Sequence, residues 1–323
     1  MSPENKKIAL IVGALLVVSF LNFQVNNKNL TAQIFQLGLF QRFTNFQSPI
    51  NDYPKVQFRG QESDNPKHKY LKSQENNIQQ LVRQQFLDLK SKYNCPNIKV
   101  TTKDIFICLT QDSFTDLSIN LKDLSRFKKD YEKGLRFYLK SMGGYFIPDR
   151  QCILLNTGLY TDPLGNLSNQ DMMDKILSNL RHECFHDLYE NLVSLEQSSD
   201  FINEGFATME QENDEILKRV NGSIHKKLAY KNDVDKFYQL LKSKQGQSDE
   251  GASFALFLCL KYKSCKDGLE KISEIIEKFE TDDKLKLELS DSLGKWSKWE
   301  NDLDKENNPK KLIKLIQSIK KTL

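Results

Sequence analysis

One hexapeptide constrains this chain most: residues 181–186 read R-H-E-C-F-H inside a long run with helical periodicity. Because helix positions four residues apart share a face, His182 and His186 can direct imidazole nitrogens at a common point. Two imidazoles placed in this way supply two ligands of a tetrahedral zinc site. Glu183 lies beside them, where its carboxylate can take a proton from a water molecule at the metal. The alternative is an amphipathic helix with two solvated or capped histidines, although the whole chain has only 4 histidines.

A second segment, N-E-G-F-A at residues 203–207, contains a candidate third ligand. A catalytic zinc site takes three protein ligands and keeps one position open. The segment resembles the start of a helix, from whose first turn the Glu204 carboxylate can reach both histidines. We expect the small side chains of Gly205 and Ala207 to let this helix pack closely on the first. An exposed glutamate is the ordinary alternative for Glu204 alone, but the H-E-x-x-H upstream favours the ligand role.

H-E-x-x-H followed by N-E-G-F-A resembles the gluzincin zinc metallopeptidases, the clan that includes thermolysin and the aminopeptidase-N family. The resemblance covers residues 143–210. It implies Zn²⁺ as cofactor, with His182, His186 and Glu204 as metal ligands and Glu183 as the catalytic general base and acid. It also implies a peptide or protein as substrate. The separation of His186 and Glu204 is one residue shorter than in the aminopeptidase-N family.

Two motifs of the aminopeptidase-N family have no counterpart in this sequence. Where those enzymes carry Y-E-K-G-A, whose tyrosine donates to the oxyanion, residues 248–252 read S-D-E-G-A. Tyr230 or Tyr238 could substitute, and loss of an oxyanion donor typically costs about 10²–10³ in rate. The G-A-M-E-N motif that holds a free substrate N-terminus is also absent, since residues 141–144 read S-M-G-G. These differences favour an endopeptidase over an aminopeptidase.

Strand-forming residues surround the turn at Pro148-Asp149. Residues 103–109 form one β-rich run, and residues 143–156 are predicted to form two strands joined by that turn. In gluzincins the strand ahead of the zinc helix is a sheet edge, along which the substrate binds as an added strand. The resemblance therefore implies substrate binding at Gly144 and Tyr145. A simple hairpin with a glycine turn is the alternative.

Helical periodicity dominates the remainder of the chain. Residues 73–93 and 121–139 are predicted to be amphipathic helices, with Phe137 on the apolar side of the second. Ser168 or Asn169 is a suitable N-cap for the zinc helix. The predicted fold is α+β: a small mixed sheet with an edge strand beside a zinc-bearing helix, plus a helical C-terminal lobe. We assign residues 73–215 to the zinc-binding catalytic lobe and residues 216–323 to the C-terminal lobe.

The N-terminus has the pattern of an export signal. Lysines at positions 6 and 7 precede an apolar run over residues 8–21, which predicts a signal peptide that is either cleaved or kept as a membrane anchor. A buried core helix is the alternative. An exported chain would lie outside the cytoplasm, secreted or anchored by this run. Residues 22–72 are predicted to be a polar extension or a propeptide, with His68 on its surface.

Charge and cysteine content narrow the class of partner. The net charge is only +4, with 47 basic and 43 acidic residues interspersed, which is not the pattern of a nucleic-acid-binding protein. None of the 6 cysteines forms C-x-x-C, and Cys108 and Cys152 could pair if the protein is exported.

The basic amphipathic helix predicted from Pro309 onward could lie on a membrane surface. Packing against the domain is the favoured alternative.

Three functional hypotheses are consistent with these patterns. The first is a zinc-dependent metallopeptidase in which Glu183 is the general base. The second is an exported zinc-binding interaction protein with weak or lost catalysis. The third is a membrane-associated helical protein in which the H-E-x-x-H sequence is coincidental. Zinc content separates the third hypothesis from the first two, and hydrolysis of a denatured protein separates the first from the second.

Overall fold

The structure is a computed structural model. It describes residues 53–60, 64–121, 129–161, 167–194, 196–211, 213–224, 233–243, 248–306 and 309–322. The predicted signal or anchor at residues 1–21 and most of the predicted extension lie outside these ranges. Among the described helices, none combines the length and the apolar character that crossing a membrane requires.

Four strands and twelve helices make up the described chain, with short 3₁₀ turns at Pro148–Arg150 and Thr157–Leu159. In chain order they are β1 (Lys55–Arg59), α1 (Pro66–Ser73), α2 (Glu75–Lys92), β2 (Asp104–Cys108), α3 (Gln111–Leu121), α4 (Lys129–Lys140), β3 (Gly144–Ile147), β4 (Cys152–Asn156), α5 (Asn169–Leu192), α6 (Asp200–Met209), α7 (Asn213–Ile224), α8 (Val234–Lys242), α9 (Ser248–Tyr262), α10 (Cys265–Lys278), α11 (Asp283–Glu306) and α12 (Pro309–Thr322).

The strands form one mixed sheet in the order β1-β2-β4-β3. The strands β1, β2 and β4 are parallel, and β3 runs antiparallel to β4 at one edge. Parallel neighbours need long crossover connections, which α1 and α2 provide after β1, whereas a short turn suffices between β3 and β4. The predicted α+β fold with a small mixed sheet, an edge strand beside the histidine-bearing helix and a helical C-terminal region is confirmed.

Both faces of the sheet are covered, because side chains alternate along each strand. Ile105, Ile107 and Phe146 belong to a large core that includes the apolar faces of α2 and α5. Phe106 and Ile147 project to the other face, where a smaller core contains side chains from α3 and α4. Burial on both faces explains why β2 and β4 read as apolar runs, whereas the edge strand β1 alternates apolar and polar residues.

The helix α5 carries both histidines of the motif and begins at a capping box. The Ser168 hydroxyl oxygen accepts a hydrogen bond from the Asp171 N–H at 3.1 Å, and the Asp171 carboxylate accepts from the Ser168 N–H at 3.3 Å. Ser168 is therefore the N-cap, as predicted. Further along α5, the buried Asp187 carboxylate accepts from the N–H groups of Thr101 at 3.2 Å and Thr102 at 3.1 Å. These bonds attach the helix to the segment leading into β2.

The C-terminal helices continue the large core rather than enclosing a separate one. Residues 53–323 form one compact unit. Within it, α6 crosses α9 so closely that a Cβ built on Gly205 would lie 2.3 Å from the carbonyl oxygen of Gly251. The helix α6 was expected to use Gly205 against the histidine-bearing helix. That prediction is wrong, because the glycine faces α9 instead.

Several predicted boundaries differ from the structure. The polar extension was assigned to residues 22–72, but within it residues 55–59 form β1 and residues 66–72 belong to α1. Of the helix predicted over residues 121–139, residue 121 ends α3 and residues 129–139 belong to α4, while residues 122–128 lie outside the described ranges. Phe137 is 81% exposed rather than on a buried face. The helix α6 starts at Asp200, so Glu204 lies in its second turn rather than its first.

His68 and the cysteines also differ from expectation. His68 is buried rather than on the surface, and its Nε2 atom lies 3.0 Å from the hydroxyl oxygen of Thr161. Cys108 and Cys152 are both free. In the register of β2 and β4, Cys152 lies opposite Asp104, four residues before Cys108, an offset of about 13 Å that a disulfide cannot span. The disulfide that does form joins Cys259 to Cys265.

Candidate metal centre

Three side chains from α5 and α6 converge on one point. The Nε2 atoms of His182 and His186 lie 3.1 Å apart. The Glu204 carboxylate places Oε2 at 3.5 Å from the His182 Nε2 and Oε1 at 3.6 Å from the His186 Nε2. The three residues form a group that can hold a metal ion.

The separations in this group fit a tetrahedral metal ion. Two nitrogen or oxygen ligands at about 2.0–2.1 Å from a tetrahedral zinc ion are about 3.3 Å apart. The two Nε2 atoms are 3.1 Å apart, and each lies 3.5 or 3.6 Å from a different oxygen of the Glu204 carboxylate, so every separation is close to that value. Two imidazoles and one carboxylate are also a donor set found in catalytic zinc sites. Geometry and donor chemistry are therefore both compatible with a metal ion at this position.

A side chain from α6 orients one of the two imidazoles. The Asn203 Oδ1 atom lies 2.8 Å from the Nδ1 atom of His186, on the side of the ring away from the cluster. When the His186 N–H at Nδ1 donates to this oxygen, the lone pair of Nε2 points into the cluster, which is the tautomer that a metal requires. The Nδ1 atom of His182 is buried with no hydrogen-bond partner among the described residues.

Burial and mutual charge set the protonation of the cluster. Burial and the neighbouring His182 lower the pKa of His186 to about 4, so this imidazole is neutral near pH 7. Burial alone would lower the pKa of His182, but its hydrogen bond with Glu204 and the charge of Glu183 raise it above its usual value. Burial raises the pKa of Glu204, but His182 and His186 outweigh it and hold the pKa at about 2. Glu204 is therefore ionised near pH 7.

Glu183 lies between this cluster and the edge strand. Its side chain is buried, and burial raises its pKa to about 7. A hydrogen bond from the backbone of Phe146 acts in the opposite direction. A Cβ built on Gly144 would lie 2.7 Å from the Glu183 Oε1 atom, so this carboxylate occupies the space that a side chain on β3 would fill.

No protein-family model, curated protein or solved structure matches this chain. The geometry of the site is therefore the observation from which its function is argued.

An open cleft of about 1060 Å³ contains the cluster. Its walls include Gly144, Tyr145 and Phe146 of β3, together with His182, Glu183, His186 and Glu204. This volume is at the upper end of the range for small-molecule pockets, and the edge of a sheet forms one wall. The space is large enough for several residues of an extended polypeptide.

The structure brings most of the predicted site residues together. His182, His186 and Glu204 form the cluster, and Gly144 and Tyr145 line the same cleft as Glu183. The proposed substitute for the missing tyrosine does not lie there. Tyr238 is buried, and its hydroxyl group donates to the Ile276 carbonyl oxygen at 3.4 Å in the helical core. Tyr230 lies outside the described residues.

Three further side chains of the cleft were not identified from the sequence. Asn179, one turn before His182 on α5, donates to the Tyr160 hydroxyl oxygen at 2.8 Å. Arg219, on α7, contacts Glu215 at 2.8 Å, and its charge helps to lower the pKa of Glu204. The helical spacing between Asn179 and His182 was the one sequence signal that could have located Asn179. Tyr160 and Arg219 come from other parts of the chain, which the fold brings to the cleft.

A buried ionic cluster around Glu210 connects α5 and α6 to α2. Glu210, at the end of α6, contacts Lys92 at 2.8 Å and the Arg181 Nε atom at 3.0 Å, and it accepts a hydrogen bond from the Tyr93 hydroxyl group at 2.9 Å. Arg181 also donates to Gln85 of α2 at 3.0 Å. Because Arg181 directly precedes His182, this cluster links the two helices that carry the candidate metal ligands.

Proposed function

We propose that this protein is a zinc-dependent metallopeptidase that acts as an endopeptidase. One observation carries the proposal: the buried Glu183 carboxylate lies between the His182–His186–Glu204 cluster and the edge strand, in contact distance of Gly144. A general base in this position is next to both the metal ligands and the backbone groups to which an extended peptide can pair.

The cluster would hold zinc through the two Nε2 atoms and the Glu204 carboxylate. A bound zinc ion would supply a Lewis acid and lower the pKa of a water molecule at the open position. The roles of the other residues follow from where they lie. Asn203 favours the His186 tautomer whose Nε2 lone pair is free to bind a metal. The ion pair between Glu210 and Arg181 fixes the position of α6 relative to α5.

Glu183 would move the proton of the reaction. Its carboxylate accepts a proton from the attacking water and returns it to the leaving nitrogen of the cleaved amide bond. The scissile peptide would lie along β3, the edge strand of the described sheet, where backbone groups directed away from β4 can bind it by main-chain hydrogen bonds. The Phe146 N–H on this strand also donates to Glu183. Gly144 has no side chain to obstruct this approach or to displace Glu183.

Endopeptidase action is favoured by the form of the cleft. It has about 1060 Å³ of space and extends past the cluster along β3 in the described part of the chain. The sequence has no G-A-M-E-N motif to bind a free N-terminus. We therefore expect hydrolysis of peptides blocked at both ends. A strict requirement for a free substrate amine would contradict this expectation.

The first experiment measures zinc and hydrolysis in parallel. We expect one zinc ion per wild-type chain by elemental analysis, and a large loss of zinc in the Glu204→Ala variant. Glu183→Gln should retain the metal, because Glu183 is not a ligand, and should lose hydrolysis of a denatured protein. Retained hydrolysis in Glu183→Gln would contradict the proposed role of Glu183, and wild type without zinc would remove the basis for the enzyme proposal.

A second candidate is an exported zinc-binding interaction protein with weak or lost catalysis. The observation that favours it is the burial of Tyr238 in the helical core, since that side chain cannot replace the oxyanion donor absent from residues 248–252. Stoichiometric zinc in wild type, with no hydrolysis of denatured proteins or blocked peptides, would support this candidate over the peptidase.

Location outside the cytoplasm is part of both proposals. The Cys259–Cys265 disulfide supports it, because structural disulfides persist mainly in oxidising compartments. The apolar run at residues 8–21 supports it as well, although it lies outside the described residues. Fusion of residues 1–30 to a reporter enzyme that is active only outside the cytoplasm tests the export signal directly.

A further inference from the structure

Two large aromatic side chains on α4 are exposed at the rim of the cleft. Phe137 is 81% exposed and its neighbour Tyr138 is 62% exposed. Tyr138 and Leu135 also line the cleft that contains the metal ligands. Tyr138 is therefore part of the wall of the cleft, and Phe137 is the exposed residue directly before it on α4; together they are named the aromatic rim. Contiguous exposed apolar surface beside a cleft is typical of a binding surface.

The orientation of the aromatic rim follows from how α4 is attached to the fold. Leu139 is buried in the small core on the face of the sheet covered by α3. On the same helix, Arg136 contacts Asp116 and Lys140 contacts Asp112, each at 2.7 Å. Successive helix positions are about 100° apart, so this attachment directs the two aromatic side chains away from the core.

A polypeptide that pairs with the edge strand β3 would direct some of its side chains toward the aromatic rim. Along β3, Gly144 and Phe146 face α5, whereas Tyr145 packs against the same small core as Leu135. A polypeptide added to the free edge of β3 would alternate in the same way. Every second side chain would then lie on the side of Tyr145 and extend toward the aromatic rim.

We propose that the aromatic rim, with Leu135 and Tyr145, selects extended polypeptides that carry large apolar side chains at alternate positions. The proposal rests on the proposed peptidase function and names its substrate class: unfolded or flexible segments with strand-like alternation. Transfer of each apolar side chain from water to the rim favours binding, and the intervening side chains face α5 and are not selected by the rim.

Peptide binding to an inactive variant tests the proposal without hydrolysis. The zinc-loaded Glu183→Gln protein is mixed with fluorescent peptides blocked at both ends, one with Phe at alternate positions and one with Ser there. We expect the Phe peptide to bind about tenfold more tightly. The additional changes Phe137→Ser and Tyr138→Ser should remove this preference, and both positions are exposed enough to leave the fold intact.

Leu287 provides the matched control, since it is 71% exposed on α11 and does not line the cleft. Leu287→Ser should keep the preference for the Phe peptide. Thermal unfolding of all variants checks that the fold is retained. Equal binding of the two peptides by the intact rim would overturn the proposal, and so would loss of the preference in Leu287→Ser.

The outcome for the rim is separate from the outcome for the peptidase. A binding preference in Glu183→Gln together with no hydrolysis by wild type supports the rim and contradicts the peptidase. Hydrolysis by wild type with equal binding of both peptides supports the peptidase and overturns the rim. If sedimentation shows a wild-type dimer that becomes monomeric without Phe137 and Tyr138, while peptide binding is unchanged, the rim is a self-association surface and the proposal is overturned.

Discussion

At the scale of single residues, the centre depends on side chains that hold the candidate ligands in position. The Nε2 atoms of His182 and His186 face each other at 3.1 Å, an arrangement that favours a cation between them. His186 is oriented by Asn203, and Glu183 is accommodated by the absence of a side chain at Gly144. Substitution of Asn203 and substitution of Gly144 are therefore expected to have different, measurable effects.

Asn203→Ala should weaken zinc binding by about 10–100-fold, because the His186 ring loses the acceptor that fixes its tautomer and orientation. Competition with a chromophoric chelator measures this affinity. Asn203→Asp is the matched variant, since it keeps an acceptor oxygen at the same position, and should restore most of the affinity. Wild-type affinity in Asn203→Ala would show that the contact with His186 has no role in metal binding.

Gly144→Ala should reduce turnover by about 10²-fold without changing zinc stoichiometry, because the new methyl group displaces the Glu183 carboxylate from a position 2.7 Å away. Hydrolysis of a blocked peptide and elemental analysis measure the two quantities. Gly134→Ala on α4 is the control, since a Cβ there meets nothing within 4 Å, and should leave turnover unchanged. Unchanged turnover in Gly144→Ala would contradict the proposed role of Glu183 as the general base.

At the scale of elements, the centre is built where three elements meet. The helix α5 supplies both histidines and Glu183, α6 supplies Glu204, and β3 supplies the wall of the cleft. The position of α6 is determined by its crossing with α9, where Gly205 and Gly251 leave no room for side chains. The third candidate ligand is thus positioned by a helix from the C-terminal part of the chain.

Gly205→Ala should lower the free energy of unfolding by about 3 kcal/mol, because its methyl group would lie 2.3 Å from the Gly251 carbonyl oxygen and must push α6 from α9. Zinc affinity should fall with it, since Glu204 moves with α6. Denaturant unfolding and chelator competition measure both effects. Gly294→Ala in α11 is the control, because nothing lies within 4 Å there, and alanine should stabilise that helix by about 1 kcal/mol. A Gly205→Ala variant as stable as wild type would contradict the observed crossing.

At the scale of the whole molecule, residues 53–323 behave as one compact unit whose large core continues from the sheet into the C-terminal helices. The buried cluster of Glu210, Lys92 and Arg181 lies within this unit and links α2, α5 and α6. Burial raises the pKa of Glu210, but the charges of Lys92 and Arg181 outweigh it and hold the pKa at about 2.

This low pKa makes global stability depend on pH. The folded pKa of Glu210 lies below its unfolded value, so the ionised carboxylate stabilises the fold above about pH 4.5, and this contribution is lost as pH falls toward 2. Glu210→Gln should destabilise the protein by about 3–5 kcal/mol at pH 7, because two buried cations lose their partner. The difference from wild type should shrink by about 3 kcal/mol between pH 4.5 and 2. Denaturant unfolding at each pH, with chelator present, measures it, and a difference independent of pH would contradict the assigned pKa.

The sequence alone was sufficient for the features that depend on local spacing. The four-residue interval between His182 and His186, the capping box at Ser168 and the apolar run of β4 each indicate their local structure, because helix and strand periods are properties of adjacent residues. The α+β class was predicted from the same patterns, whereas the grouping of Glu204 with the two histidines was predicted from the N-E-G-F-A segment that follows H-E-x-x-H and from the resemblance to gluzincins.

Tertiary structure alone decided how distant segments meet. Phe137 has the spacing of a core residue but is exposed, and His68 lies in a charged segment but is buried in contact with Thr161. Gly205 faces α9 rather than α5, and the disulfide joins Cys259 to Cys265 rather than Cys108 to Cys152. Burial, strand register and helix crossings depend on contacts between residues far apart in the chain, and local periodicity contains no information about which partner an apolar face will find.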